Sequence, residues 1–182
     1  MKKYFILLLI ICWTLQNARA QTKEEKKLEK QEKKLQKQKV GDEQYANMKA
    51  LIDSKNYIFE ANRATATGAG GISMATNPNK ILVDQAEVDI DMPYFGVIRS
   101  GGGYNNESGI RYKGIPDKYE VSHVEKKRQI IVRIIFTNST ETHNVKLTIG
   151  KEGQTNVLII SSGRNNITYS GMVTTIAQKG FH

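Results

Sequence analysis

Glu87, Asp89 and Asp91 stand at every second position, so on an extended strand their three carboxylates share one face. Three carboxylates together are the chemistry of a Ca²⁺ site, but such a site wants six or more oxygens, most of them from a loop. A solvated strand face is the simpler expectation. Gly68-Ala69-Gly70-Gly71 and Gly101-Gly102-Gly103 have the glycine density of phosphate-cradling loops. Neither ends in the Gly-Lys-Ser/Thr of a P-loop, and neither opens a helix whose N-terminus would receive an anion. His123, His143 and His182 share no metal-ligand spacing, and no Gly-x-Ser-x-Gly elbow occurs. His123 falls on one strand face with Tyr119 and Val121, which suits a structural histidine. These patterns yield no catalytic constellation, no metal site and no cofactor, and the chain reads as a non-enzyme.

Two segments carry more information than a strand requires. In Met92-Pro93-Tyr94-Phe95-Gly96, Pro93 fixes φ and removes a ladder donor, while Gly96 permits unusual backbone angles. A corner or bulge is expected there, with Tyr94 or Phe95 buried. In Arg164-Asn165-Asn166-Ile167-Thr168-Tyr169-Ser170-Gly171, the residues Ile167, Tyr169 and Gly171 share one face. Gly171 would let a side chain lie flat against the backbone. Pro93, Phe95, Gly96 and Gly171 are therefore candidate structural residues. Arg164, Tyr169 and Tyr94 are the candidate binding residues: an Arg stacked on a Tyr serves as a strand-end clasp or as an anion contact.

The elements that must position these residues follow from periodicity. Lys2 and Lys3 precede an apolar run from Phe5 to Leu15, and Ala18-Arg19-Ala20 offers small residues where a signal peptidase reads. That run is about half of the roughly 20 residues that cross a bilayer. Residues 1–20 are thus expected to be a signal peptide cleaved after Ala20. The alternative, a lipidated Cys12, is disfavoured by Ile10 and Ile11, where a lipoprotein box wants small residues. Cleavage removes the sole cysteine and the sole tryptophan, so residues 21–182 hold no disulfide and no thiol chemistry.

Residues 21–41 read as a charged tether, helical or disordered. Residues 22–40 carry eight lysines against four glutamates, which accounts for much of the formal charge of +9. Residues 41–182 balance sixteen basic against fourteen acidic side chains. A nucleic-acid binder usually puts its basic stripe on the folded face, so that class is excluded. Leu28 and Leu35 lie one heptad apart, but Glu25, Glu32 and Lys39 interrupt any coiled-coil seam. The tether suits a peripheral contact with an anionic envelope surface.

Residues 42–182 form one domain. Gly41 and Asp42 are expected to end the tether helix, with Asp42 capping a second helix over residues 43–55 whose apolar face is Tyr45, Met48, Leu51 and Ile52. Asn56 is expected to close it in the left-handed conformation. The period then changes to two. Strands are expected over 57–64, 81–92, 109–113, 118–124, 128–137, 144–149, 155–161 and 166–176, separated by turns too short for parallel crossovers. The fold class is all-β with an N-terminal helix: an antiparallel meander of about eight strands, forming a barrel or sandwich. Residues 128–137 are apolar on both faces, and the helix over 43–55 is expected to cover Ile131 and Ile135.

On these residues the chain resembles the uncharacterised bacterial family catalogued as domain of unknown function 4251. A Phe…Ala-x-x-Ala strand is matched by Phe59, Ala61 and Ala64, and a Leu-Pro-Tyr-Phe-Gly motif by residues 92–96 with Met92 in place of Leu. Gly109-Ile110-Arg111-Tyr112-Lys113-Gly114 is similar to Gly-Ile-x-Phe-x-Gly, and Arg164, Ile167, Tyr169 and Gly171 fit an Arg-x-x-Ile-x-Tyr-x-Gly close. The family's Pro after the first strand is replaced by Thr65 and Thr67. The resemblance implies an exported β-rich protein and brings no activity. The expected function is that of a periplasmic or secreted, non-catalytic binding module for an envelope protein or glycan. The alternatives are a lipid-like small-molecule carrier with a barrel cavity and, more remotely, an enzyme joining Arg164, Tyr169 and Tyr94 to the Glu87–Asp91 carboxylates.

Overall fold

Lys, Glu and Gln are good helix formers, and the N-terminal part of the chain is one α-helix, α1 (Lys2–Asp53). The computed structural model describes residues 2–66, 70–74, 79–96, 98, 109–138 and 141–176, with side chains described from residue 24 onward. Two compact units emerge, residues 1–41 and 42–182. In the first, Leu28, Leu35 and Val40 are exposed on a solvated helix. Among the described residues no helix is long and apolar enough to cross a membrane.

The expected break at Gly41 and Asp42 does not occur; both lie inside α1. One glycine costs a helix about 1 kcal/mol, which the strong helix formers on either side can absorb. Asp42 caps nothing and instead accepts from the Arg128 guanidinium at 2.7 Å. Lys55, not Asn56, takes the left-handed conformation that ends the helix, with φ 52°.

Ten strands follow. They are β1 (Asn56–Ala66), β2 (Gly71–Ser73), β3 (Lys80–Asp84), β4 (Glu87–Met92), β5 (Ile110–Gly114), β6 (Lys118–Val124), β7 (Gln129–Asn138), β8 (Glu141–Gly150), β9 (Gln154–Ser161) and β10 (Ile167–Thr175). All pairs are antiparallel, in the order β5-β4-β3-β1-β10-β9-β8-β7-β6, with β2 on β1. The sheet curls into a half-barrel, and the fold is mostly β. Two strands more than expected arise in identifiable ways. The span 81–92 is a hairpin, because Gln85 adopts φ 54° and its N–H bonds the Lys55 carbonyl at 2.7 Å. The short β2 adds the other.

Alternation decides what points inward. Ile130, Val132, Ile134 and Phe136 on β7, Val145, Leu147 and Ile149 on β8, and Val157 and Ile159 on β9 are all 0% exposed. Each such side chain contributes roughly 1.5–3 kcal/mol by leaving water. The C-terminal part of α1 joins this same core through Tyr45 and Ile52. It does not cover Ile131 and Ile135, which stay half-buried on the outer face. Its polar contacts show why: Tyr45 donates to the Gln129 carbonyl at 3.5 Å, and Lys151 donates to Gln44 at 2.9 Å. The helix therefore caps the end of the half-barrel where β7 begins and β8 turns into β9.

Candidate functional site

The residues singled out by sequence gather at the opposite end. There β4 stops at Met92, and Pro93 starts a corner that buries Tyr94 to 4% exposure and leaves Phe95 at 37%. The Tyr94 hydroxyl donates to the Asn165 carbonyl at 2.9 Å, in the β9–β10 turn. Gly96 is required by this packing, since a Cβ there would lie 2.4 Å from the Tyr94 hydroxyl. Tyr169 on β10 donates to the Pro93 carbonyl at 2.6 Å. Burial, and next the neighbouring Tyr94, push the Tyr169 phenol far above its ordinary pKa, so it stays a neutral donor. Two hydroxyl–carbonyl bonds thus tie the Pro93–Tyr94 corner to the β9–β10 turn and to β10.

Arg164 completes the group. Its guanidinium lies 5.2 Å from the Tyr94 ring centroid and donates to Glu141 Oε2 at 2.8 Å and to the Gly109 carbonyl at 3.4 Å. The charge of Arg164 is therefore met inside the molecule by a carboxylate that is itself only 9% exposed. That geometry is a clasp, tying the β9–β10 turn to the start of β8 and to the residue before β5.

Glu141 and Ser161 escaped sequence reasoning, and His143 was read there only for metal-ligand spacing. The signal was available, since Glu141 and His143 continue the inward period of Val145, Leu147 and Ile149. His143 Nδ1 sits 2.7 Å from Ser161 Oγ, and its Nε2 sits 3.7 Å from Glu141 Oε2. Burial lowers the His143 pKa, Glu141 opposes this and Arg164 adds to it, so the imidazole is neutral at pH 7. Nδ1 and the Ser161 hydroxyl share one hydrogen bond whose direction follows the imidazole tautomer. Ser, His and acid recur in hydrolases, where the hydroxyl meets substrate. Here Ser161 is 8% exposed and bonded to the imidazole.

The remaining sequence candidates are dispersed. Asp89 and Asp91 share the outer face of β4 as expected, but they pair with Lys80 at 3.3 Å and Arg111 at 3.2 Å. Among the described residues no cluster of metal-binding side chains forms. His123 contacts Asp53 at 3.2 Å. Gly171 faces the backbone of β1 rather than a side chain: a Cβ would lie 1.9 Å from the Glu60 carbonyl. A bulge follows in β1 between Ala61 and Arg63. The glycine run at 101–103 and His182 lie outside the described residues.

A second feature lies at the seam. Among the described residues no ladder joins β5 to β6. Instead the Tyr112 ring stacks on Phe136 at 4.4 Å, Phe136 stacks on His143 at 4.8 Å, and Asn138 donates to the Arg111 carbonyl at 2.9 Å. An open cleft of about 400 Å³ runs along this seam.

Comparison with known proteins agrees with this architecture. No curated protein matches the chain. A crystal structure of a DUF4251 family protein from Bacteroides eggerthii DSM 20697 superposes with a TM-score of 0.60 at 19% identity, over 78% of this chain and 94% of that one. At that identity the likeness concerns the fold alone. The model of the family described as domain of unknown function (DUF4251) matches residues 39–173, which hold the helix cap, nearly all of the half-barrel and the Arg164 clasp. The chain belongs to the DUF4251 family.

Proposed function

We propose that this protein is an exported, non-catalytic binding module that meets an envelope protein or glycan on its outer surface. The observation that carries this reading is the filled interior. Ile130, Val132, Ile134, Leu147, Val157 and Ile159, which would line a barrel cavity, are all 0% exposed. A carrier of lipid-like molecules needs space there. The non-catalytic part of the reading rests on the polar cluster, where Arg164 is paired with Glu141, Ser161 is bonded to His143, and the Tyr94 and Tyr169 hydroxyls are bonded to backbone carbonyls. Export rests on the basic, apolar and small-residue pattern of residues 1–20, and places the protein in the periplasm or outside the cell. In the same reading, the lysines of residues 22–40 hold the protein near an anionic envelope surface.

Native mass spectrometry on protein recovered from the periplasm of an expressing Gram-negative host tests this. A mass that starts at Gln21, with nothing else bound, is the expected result. Additional mass lost on gentle activation would replace the module by a carrier, and a lipid on Cys12 would overturn cleavage after Ala20.

A further inference from the structure

The seam cleft has the chemistry of a ligand site. Its volume of about 400 Å³ falls in the usual range for small-molecule sites. Asp89 and Asp91 on β4 stand opposite Lys113 and Arg111 on β5 in the ladder, and Thr137 and Asn138 of β7 form the far wall. Two carboxylates and two cations make the lining charge-balanced, so neither an anion nor a cation is favoured by the net field. The Asp91–Arg111 pair, 3.2 Å apart, presents an acceptor beside a donor. A sugar hydroxyl both donates and accepts, so adjacent hydroxyls of a pyranose can engage both members of the pair at once. Tyr112 sits on the inward face of β5, where its stack on Phe136 fixes the strand that carries Arg111.

A peptide strand fits less well. A strand inserted at the seam needs about 4.8 Å on each side, whereas the Asn138 amide already reaches the Arg111 carbonyl across it. We infer that the seam cleft between β5 and the end of β7 binds a neutral saccharide, with Asp91 and Arg111 contacting its hydroxyls. This rests on the binding-module reading and names its ligand class.

The test is an array of neutral and acidic oligosaccharides probed with the signal-free chain, followed by titration of the best binder. Neutral saccharides are expected to bind, and Asp91→Asn and Arg111→Gln are each expected to weaken binding about tenfold or more. Both positions are on the surface, and an unchanged urea midpoint shows that the variants fold. Binding confined to acidic saccharides, or unaffected by both substitutions, would overturn the inference. If no saccharide binds but an envelope protein is captured and lost on Arg111→Glu, the ligand class fails while the module reading stands. If neither occurs, both fail.

Discussion

At the end of the half-barrel where β7 begins and β10 finishes, α1 supplies Tyr45, Met48, Leu51 and Ile52 to the core. At the opposite end Tyr94, Arg164, Glu141, His143, Ser161 and Tyr169 are joined by directed bonds. The first closure is non-directional burial, which tolerates small shifts because its strength follows area removed from water. The second depends on each partner being present, because a buried charge that loses its counterpart keeps its desolvation cost. The ends should therefore fail differently, the helix end gradually and the clasp end abruptly.

Four experiments sharpen or break that contrast. The largest effect is expected from Arg164→Ala, which strands Glu141 and should cost about 3–5 kcal/mol in urea unfolding. The double replacement Glu141→Leu with Arg164→Met should recover most of that loss, and a strictly additive pair would sink the clasp account. Next, Ile52→Ala removes a fully buried side chain from the helix cap and should cost about 2–3 kcal/mol, with no comparable rescue by a partner. A smaller effect separates the ends by pH. The folded state holds His143 below its unfolded pKa, so the unfolded chain binds more protons in acid. Stability is then complete above about pH 6.5 and falls as pH drops below it; His143→Asn should flatten that part of the profile, and an unchanged slope would exonerate His143. The smallest is Asp42→Asn, which breaks the exposed pair with Arg128 and should cost less than about 0.5 kcal/mol.

Much of this architecture was legible in the residues. Period-two patterning located β6 to β10, where clean alternation over seven to ten residues leaves little choice of register. The Pro93–Gly96 corner and the Arg164–Gly171 segment were legible through proline, glycine and aromatics at fixed spacing. The hairpin at Asp84–Glu87 was not, because Gln85 is no turn residue and its left-handed angle is held by a long-range bond to Lys55. The continuity of α1 through Gly41 was hidden by treating one glycine as punctuation. The inward period of β8 could flag Glu141 as buried, but not that it pairs with Arg164. Glu141 lies 23 positions away, and only the pairing of β8 with β9 brings them to the same end. The seam cleft likewise depends on where β6 stops along β7, at Lys118 opposite Ile135, which no local pattern encodes.

The pairing of β1 with β10 sets the first strand of the domain beside the last, with Tyr57 opposite Thr175. Such a contact closes a loop of nearly the whole domain, and folding slows as contacts span more of the chain. A ribosome releases β10 after every other strand, so β1 and β9 wait with open edges until synthesis is almost finished. The half-barrel is thus a lock whose final pin is cut last.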